Sequence, residues 1–227
     1  MVSTGTASGE IASTGARVLV ADDHEIVRHG LRAVLEAAGH RVCAEASTGR
    51  EAVALASELV PDLTVVDLTM PDLNGLEATR QITAARPGAR VLVLTIHQSE
   101  QLVRDVLEAG ARGYLLKSDL ARDFIAAVTA LLDGKTFFTN SVSDVVLSGF
   151  LGGRQPAEEA DRRRLTPRER EIVQLIAEGH STKEIARKLA ISVKTVESHR
   201  TNVFRALGLH SVSDVVRYAI RNGIVAS

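Results

Sequence analysis

Cysteine is nearly missing from this chain: Cys43 stands alone among 227 residues. A single thiol excludes an intramolecular disulfide and any zinc site built on cysteines. No apolar run approaches the roughly 20 residues that carry a helix across a bilayer, so no membrane partner is expected. The opening MVSTGTASGEIASTGA is small and polar. It lacks the basic start and apolar centre of a secretory signal and reads as a disordered tail over residues 1–16. Net charge is also close to nil, at -1. These shortages favour a cytoplasmic protein. What is present is ordinary, 45% apolar and 24% charged, in a chain long enough for two modest domains that each bury a core.

The small net charge hides an asymmetry. Residues 1–160 carry 14 basic and 21 acidic side chains, a balance of -7, whereas residues 161–227 carry 13 and 7, a balance of +6. An acidic part joined to a basic one suggests that one half receives a signal and the other touches a polyanion.

In the acidic half, short Val- and Leu-rich runs alternate with amphipathic stretches. Strands are expected at 17–21, 41–46, 62–67, 90–95 and 112–117, each apolar enough for a parallel strand buried on both faces. The intervening helices end at Gly39, Gly110 and Gly134. The first, about 25–38, places Ile26, Val27, Leu31, Val34 and Leu35 on one side. The fold class implied is α/β, a five-stranded doubly wound parallel sheet. The carboxyl ends of such strands converge on one edge. Asp22 and Asp23 follow the first strand, Asp67 closes the third, and Lys117 closes the fifth. Three carboxylates and one ammonium in one crevice describe a divalent-metal and phosphoryl site.

Beyond 133 the periodicity weakens. Residues 134–163 read as a linker carrying a short helix at 141–151, with the domain boundary near 152–163. Residues 164–227 are all helical. Thr166, Pro167 and Glu169 form a capping box with proline at the first helical position, for a helix ending at Gly179. Ser181 and Glu184 repeat the box for a helix at 182–189. The turn Ala190 to Ser192 then leads into a longer helix, 193–207, stopped by Gly208. Two helices joined so tightly make a helix-turn-helix, whose second helix enters the major groove. A fourth helix, 211–222, carries the stripe Val212, Val215, Val216, Ala219 and Ile220.

The segments DDHEIVRHGL (22–31), DLTMPDLNGLE (67–77), LT (94–95) and GYLLK (113–117) resemble the receiver domain of bacterial two-component response regulators, a flavodoxin-like fold spanning 17–133 here. The segment LTPREREIVQLIAEGHSTKEIARKLAISVKTVESHRTNVFRALGL resembles the LuxR-type DNA-binding domain. The combination resembles the NarL/FixJ family and covers nearly everything after the tail.

By that resemblance Asp67 is the phosphoacceptor, taking a phosphoryl group from a phosphohistidine on a sensor histidine kinase. Asp23, Asp67 and the backbone carbonyl of Thr69 hold Mg²⁺ directly, with Asp22 acting through a bound water, and Lys117 contacts a phosphoryl oxygen. Thr95 then moves to the phosphoryl group and Tyr114 rotates into the space left, altering the face around strand 112–117. The resemblance further implies that the unphosphorylated receiver hinders the C-terminal domain. Once freed, that domain binds double-stranded promoter DNA as a homodimer through helix 211–222, with RNA polymerase as a further partner. Lys194, Thr195, Glu197, Ser198 and Thr201 are candidates for base edges, and Lys183, His199, Arg200 and Asn202 for the DNA backbone.

Each choice has a plainer competitor. A lone Asp at a strand end is usually a turn residue, a strand tyrosine is commonly core, and Glu197 could pair with Arg200 and read nothing. At the level of function the competitor is a metal-dependent phosphohydrolase with an appended interaction domain. Thr69, standing where such an enzyme needs a second acid, counts against it. A receiver that has abandoned phosphate is opposed by the intact acid set.

Overall fold

The computed structural model describes residues 15–97, 99–139 and 165–225. Its first half runs β1 (Arg17–Ala21), α1 (Glu25–Ala37), β2 (Arg41–Ala46), α2 (Gly49–Leu59), β3 (Leu63–Asp67), α3 (Gly75–Ala85), β4 (Val91–Thr95), α4 (Glu100–Glu108), β5 (Gly113–Leu116), a 3₁₀ turn at Lys117–Asp119, α5 (Leu120–Leu132) and β6 (Phe137–Phe138). All pairings are parallel, in the order β2-β1-β3-β4-β5-β6. The five strands expected from the sequence are there. A two-residue strand, Phe137–Phe138, extends the sheet beyond β5 and is too short to leave a period-two pattern.

Strand residues alternate between two cores because successive side chains point to opposite faces. Val18, Val20, Leu63, Val65, Leu92 and Leu94 meet α1 and α5 on one side. Leu19, Ala21, Val66, Val91 and Val93 meet the helices of the other side, among them Ala52 and Ala56 of α2 and Val103 and Val106 of α4. In α1 the buried line is narrower than expected. Leu31 and Leu35 are buried and Val27 packs beside them, but Ile26 is 82% exposed and Val34 44%. Residues 27, 31 and 35 follow the four-residue ridge of a helix, whereas 26 and 34 sit about 100° round from it.

The second half is four helices, α6 (Pro167–Ala177), α7 (Thr182–Lys188), α8 (Val193–Leu207) and α9 (Val212–Arg221). Both capping boxes form: Thr166 and Glu169 at α6, Ser181 and Glu184 at α7. Ser192 and Ser211 cap α8 and α9 through their hydroxyls. The turn between α7 and α8 holds Ala190 at φ 52, which lets two helices meet within a few residues. Ile172, Ile185, Val196, Val203, Val215 and Ala219 form the shared core. The α9 stripe is only partly spent on it. Val215 and Ala219 are buried, Val212 is 48% exposed, and Val216 and Ile220 are intermediate. The expected helix at 141–151 and the boundary near 152–163 lie outside the described residues.

Candidate functional site

The strand order reverses direction at β1 and β3, and a parallel sheet opens its crevice at such a point, beyond the strand carboxyl ends. Asp22 and Asp23 leave β1 there and Asp67 leaves β3. Lys117 arrives from the end of β5, its Nζ 2.8 Å from Asp22 Oδ2 and 3.0 Å from Asp67 Oδ1. Asp22 is fully buried and Asp67 nearly so. The structure thus joins residues 22, 67 and 117 into one hydrogen-bonded notch.

One ammonium faces three carboxylates. Burial, then the charge of Asp22, push the Asp67 carboxyl up to about 7, against the pull of Lys117. Burial works to lower Lys117, but Asp67 and Asp22 outweigh it and hold the ammonium above its usual range. Asp23 Oδ1 is buried without a hydrogen bond, although His24 Nδ1 lies 2.8 Å away. An orphaned carboxylate oxygen beside an ionisation-resistant one, with surplus negative charge, is an oxygen donor set suited to a hard divalent cation. Thr69 and Asp23 line one cavity.

The loop from Leu68 to Asn74 is pinned by glycines that the sequence reading passed over. A Cβ on Gly75 would stand 2.0 Å from the Asp67 carbonyl oxygen, and one on Gly49 2.0 Å from that of Leu73. Gly75 N donates to the Leu68 carbonyl at 2.7 Å. A glycine opening a helix, where a better helix former costs less, was the available signal.

Thr95 Oγ1 accepts from the His97 amide at 3.0 Å, and the Tyr114 hydroxyl donates to the His97 carbonyl at 2.6 Å. Tyr114 has no exposed surface. Burial lifts its hydroxyl to about 12, partly opposed by Thr95. Tyr114 is thus held inside the domain, against the His97 carbonyl and beside Thr95.

On the helical half, α8 presents Lys194, Glu197, Ser198, Thr201 and Asn202 to solvent, with Lys183 exposed on α7 and Thr195, His199 and Arg200 partly covered. Val196 and Val203 point into the core. Arg200 donates to Thr182 at 3.2 Å, leaving Glu197 uncommitted to it. The Ser192 and Thr195 hydroxyls lie 2.8 Å apart at the N-cap, and Ser198 and Thr201 bond back to the carbonyls of Lys194 and Glu197.

A third feature has no sequence signal. Gln174 of α6, fully buried, accepts from the Asn74 amide at 2.8 Å and donates to the Met70 carbonyl at 2.8 Å. Arg170 lies 3.2 Å from Asp105 and 3.6 Å from Glu77. Glu178 accepts from the Asp72 amide, and Lys188 pairs with the Asp72 carboxylate. Polar residues scattered on a helix face look solvated in a sequence, and only the fold shows them meeting another surface.

Comparison with known proteins identifies both halves of the chain. Residues 18–129 match the response regulator receiver domain, and residues 163–219 match the luxR family of bacterial regulatory proteins. The chain is 42% identical to the transcriptional regulatory protein LiaR of Bacillus subtilis, over 92% of this chain and 99% of that one. It is 35% identical to the transcriptional regulatory protein MctR of Rhizobium johnstonii, over 92% and 95%. A structure of RcsB from Salmonella enterica serovar Typhimurium, bound to a promoter in the presence of the phosphomimetic BeF3⁻, superposes with a TM-score of 0.62 at 28% identity, covering 90% of this chain and 98% of that one. Among the described residues no helix is long and apolar enough to cross a membrane. An acid-lined receiver followed by a luxR-type helix-turn-helix, with relatives matching over 92% of the chain, places it in the NarL/FixJ family of two-component response regulators, DNA-binding transcription regulators rather than catalytic enzymes.

Proposed function

We propose that Asp67 is the phosphoacceptor of this regulator, and that its acyl phosphate releases the helical domain to pair with a second copy on promoter DNA. One Asp67 oxygen attacks the phosphorus of a phosphohistidine on a sensor histidine kinase. The P–N bond breaks, its electron pair stays on the imidazole nitrogen, which takes up a proton, and the phosphoryl group remains on Asp67. Lys117, already within 3.0 Å of that carboxylate, turns to a phosphoryl oxygen as a point charge. Asp23, Asp67 and the Thr69 carbonyl would hold Mg²⁺, with Asp22 reaching it through water; when bound, the ion supplies the positive charge that keeps Asp67 ionised and neutralises the incoming phosphoryl oxygens.

The observation that carries this reading is the place of the Asp67 carboxyl, buried at the end of β3 beside Asp22, with Lys117 Nζ 3.0 Å from it and 2.8 Å from Asp22. A buried carboxylate with two acidic neighbours and one ammonium would be stabilised by an arriving cation, and the same ammonium stands ready for a phosphoryl oxygen. The promoter-bound RcsB structure and the structure of two RcsB dimers on parallel DNAs support a dimeric, DNA-bound output for this chain too. Lys194, Thr195, Glu197, Ser198 and Thr201 would meet base edges and Lys183, His199, Arg200 and Asn202 the phosphates, with α9 between subunits and RNA polymerase as the downstream partner.

The test is intact-mass spectrometry of the full chain after incubation with Mg²⁺ and a small phosphodonor. One added phosphoryl group, lost on hydroxylamine treatment and absent from Asp67→Asn, is expected. An unchanged yield in Asp67→Asn would refute the assignment.

A further inference from the structure

The two carboxylates that leave β1 are spent differently. Asp22 has both oxygens committed, Oδ1 accepting from the His24 amide at 2.9 Å and Oδ2 from Lys117 at 2.8 Å. Asp23 has an oxygen to spare. Its Oδ1 is buried with no hydrogen bond, and the imidazole of His24 stands over it, Nδ1 2.8 Å away. The same nitrogen is 3.4 Å from Asp22 Oδ1. His24 is the N-cap residue of α1, where its side chain caps nothing. The backbone beneath the ring is pinned nonetheless: the His24 carbonyl takes the Val27 and Arg28 amides at 3.1 Å, and Arg28 Nη1 holds the Asp22 carbonyl at 2.8 Å. An ion pair would be the plain account of the contact between His24 and Asp23. The two side chains are 61% and 29% exposed, and a pair so open to water contributes little. It also leaves a buried oxygen without the aligned N–H that such an atom requires. A nitrogen and an oxygen facing each other in this way have the spacing of neighbouring ligands on one cation, since at metal–ligand distances of about 2.1 Å adjacent octahedral positions stand about 3.0 Å apart. Ligand atoms of Asp22, Asp23 and His24 all lie within 4.8 Å of one another.

We propose that His24 is a further metal ligand of the notch, and that through its imidazole the notch takes a first-row transition-metal dication, Mn²⁺ for one, ahead of Mg²⁺. The inference rests on the reading that Asp23 and Asp67 hold a divalent cation. Carboxylates and a backbone carbonyl suit Mg²⁺ and Mn²⁺ alike, because both ions accept six oxygen ligands in octahedral geometry. A nitrogen separates them. Mg²⁺ is a hard ion that keeps its waters rather than exchange one for imidazole, whereas the first-row dications gain from nitrogen in the order of their affinities. A neutral imidazole binding through Nδ1 carries its proton on Nε2, so the ligand atom and the orphaned Asp23 oxygen are satisfied by one ion together. Asp22 serves that arrangement as a clamp: one oxygen sets the His24 backbone and the other holds Lys117. The choice of ion then belongs to a residue outside the acid set.

The experiment titrates Mn²⁺ into the full chain and follows the electron paramagnetic resonance signal of the free ion, first alone and then against Mg²⁺. Mn²⁺ should fill a site from which Mg²⁺ displaces it, and the pulsed spectrum of the bound ion should show coupling to a nitrogen nucleus. In His24→Ala that coupling should vanish, and the ratio of Mn²⁺ to Mg²⁺ affinity should fall about tenfold, the lower end of what losing a contact around a bound metal costs. His24→Asn, which offers an oxygen and is a favourable N-cap residue, should lose the coupling likewise while keeping the start of α1. His29→Ala removes an exposed imidazole from the same helix and should change neither quantity. A coupling that survives in both His24 variants, a ratio unmoved by His24→Ala, or a coupling lost in His29→Ala instead overturns the inference. Failure of Mg²⁺ to displace Mn²⁺, or no binding of either ion, defeats the cation reading of the notch and this inference with it. Competitive binding of both ions with no nitrogen coupling defeats this inference alone, and the Asp67→Asn adduct decides the phosphoacceptor separately.

Discussion

The acid notch and the recognition helix are opposite kinds of site. At the notch nearly everything is buried and mutually committed: Asp22, Asp67 and Lys117 share hydrogen bonds, and a carboxyl is displaced far from its ordinary range. Along α8 the polar side chains stand in solvent, satisfied by their own helix. Chemistry at a strand end needs stored electrostatic discomfort that a ligand can relieve. Reading of a groove needs donors that stay solvated until base edges replace water. The first kind costs stability in the free protein, and the second costs almost none.

That contrast can be broken most forcefully at Gly75. Gly75→Ala drives a Cβ into the Asp67 carbonyl, 2.0 Å away, so we expect the receiver to lose about 3 kcal/mol or more and its phosphorylation with it. Helix α8 should keep its circular-dichroism signal, and a variant with unchanged melting temperature would contradict the crowding described. The next effect is pH dependence. Asp67 is raised from 3.8 to about 7, so the folded form binds more protons than the unfolded one between those values. Stability is then greatest below pH 4 on this account, declines as pH rises to about 7, and is flat above. Asp67→Asn removes the decline, and at pH 8 without divalent cations it should be more stable than the parent by about 2 kcal/mol. Melting curves across pH 4–8, with and without Mg²⁺, check the sign; a less stable Asp67→Asn at pH 8 would show the notch to be unstrained. The smallest effect belongs to α8. Lys194→Ala should leave stability within about 0.5 kcal/mol and weaken DNA binding by about 1–3 kcal/mol if it reads a base. If it touches phosphate, the loss is even across sequences and the salt slope falls by about 1. Titrations at two salt concentrations distinguish these.

The sheet was readable in advance because each strand alternates between two apolar faces and three of the intervening helices stop at a glycine, Gly39, Gly110 and Gly134. The residues at strand ends were readable because parallel topology brings such ends together. Ile26 and Val34 were misplaced because apolar identity alone does not say which of two adjacent helical ridges meets the sheet. Phe137 and Phe138 are too few to show a period. Gln174, Arg170 and Glu178 could not be picked out, since their partners lie roughly a hundred residues or more away or on other helices, and polar surface positions have no pattern that distinguishes water from another domain.

The fully buried Gln174 has a consequence for the separated form. Had leucine filled that position, parting the two domains would bare an oily spot and invite clumping. An amide instead finds water as readily as it finds the Met70 carbonyl, so a molecule whose domains part, as proposed above, would stay dispersible.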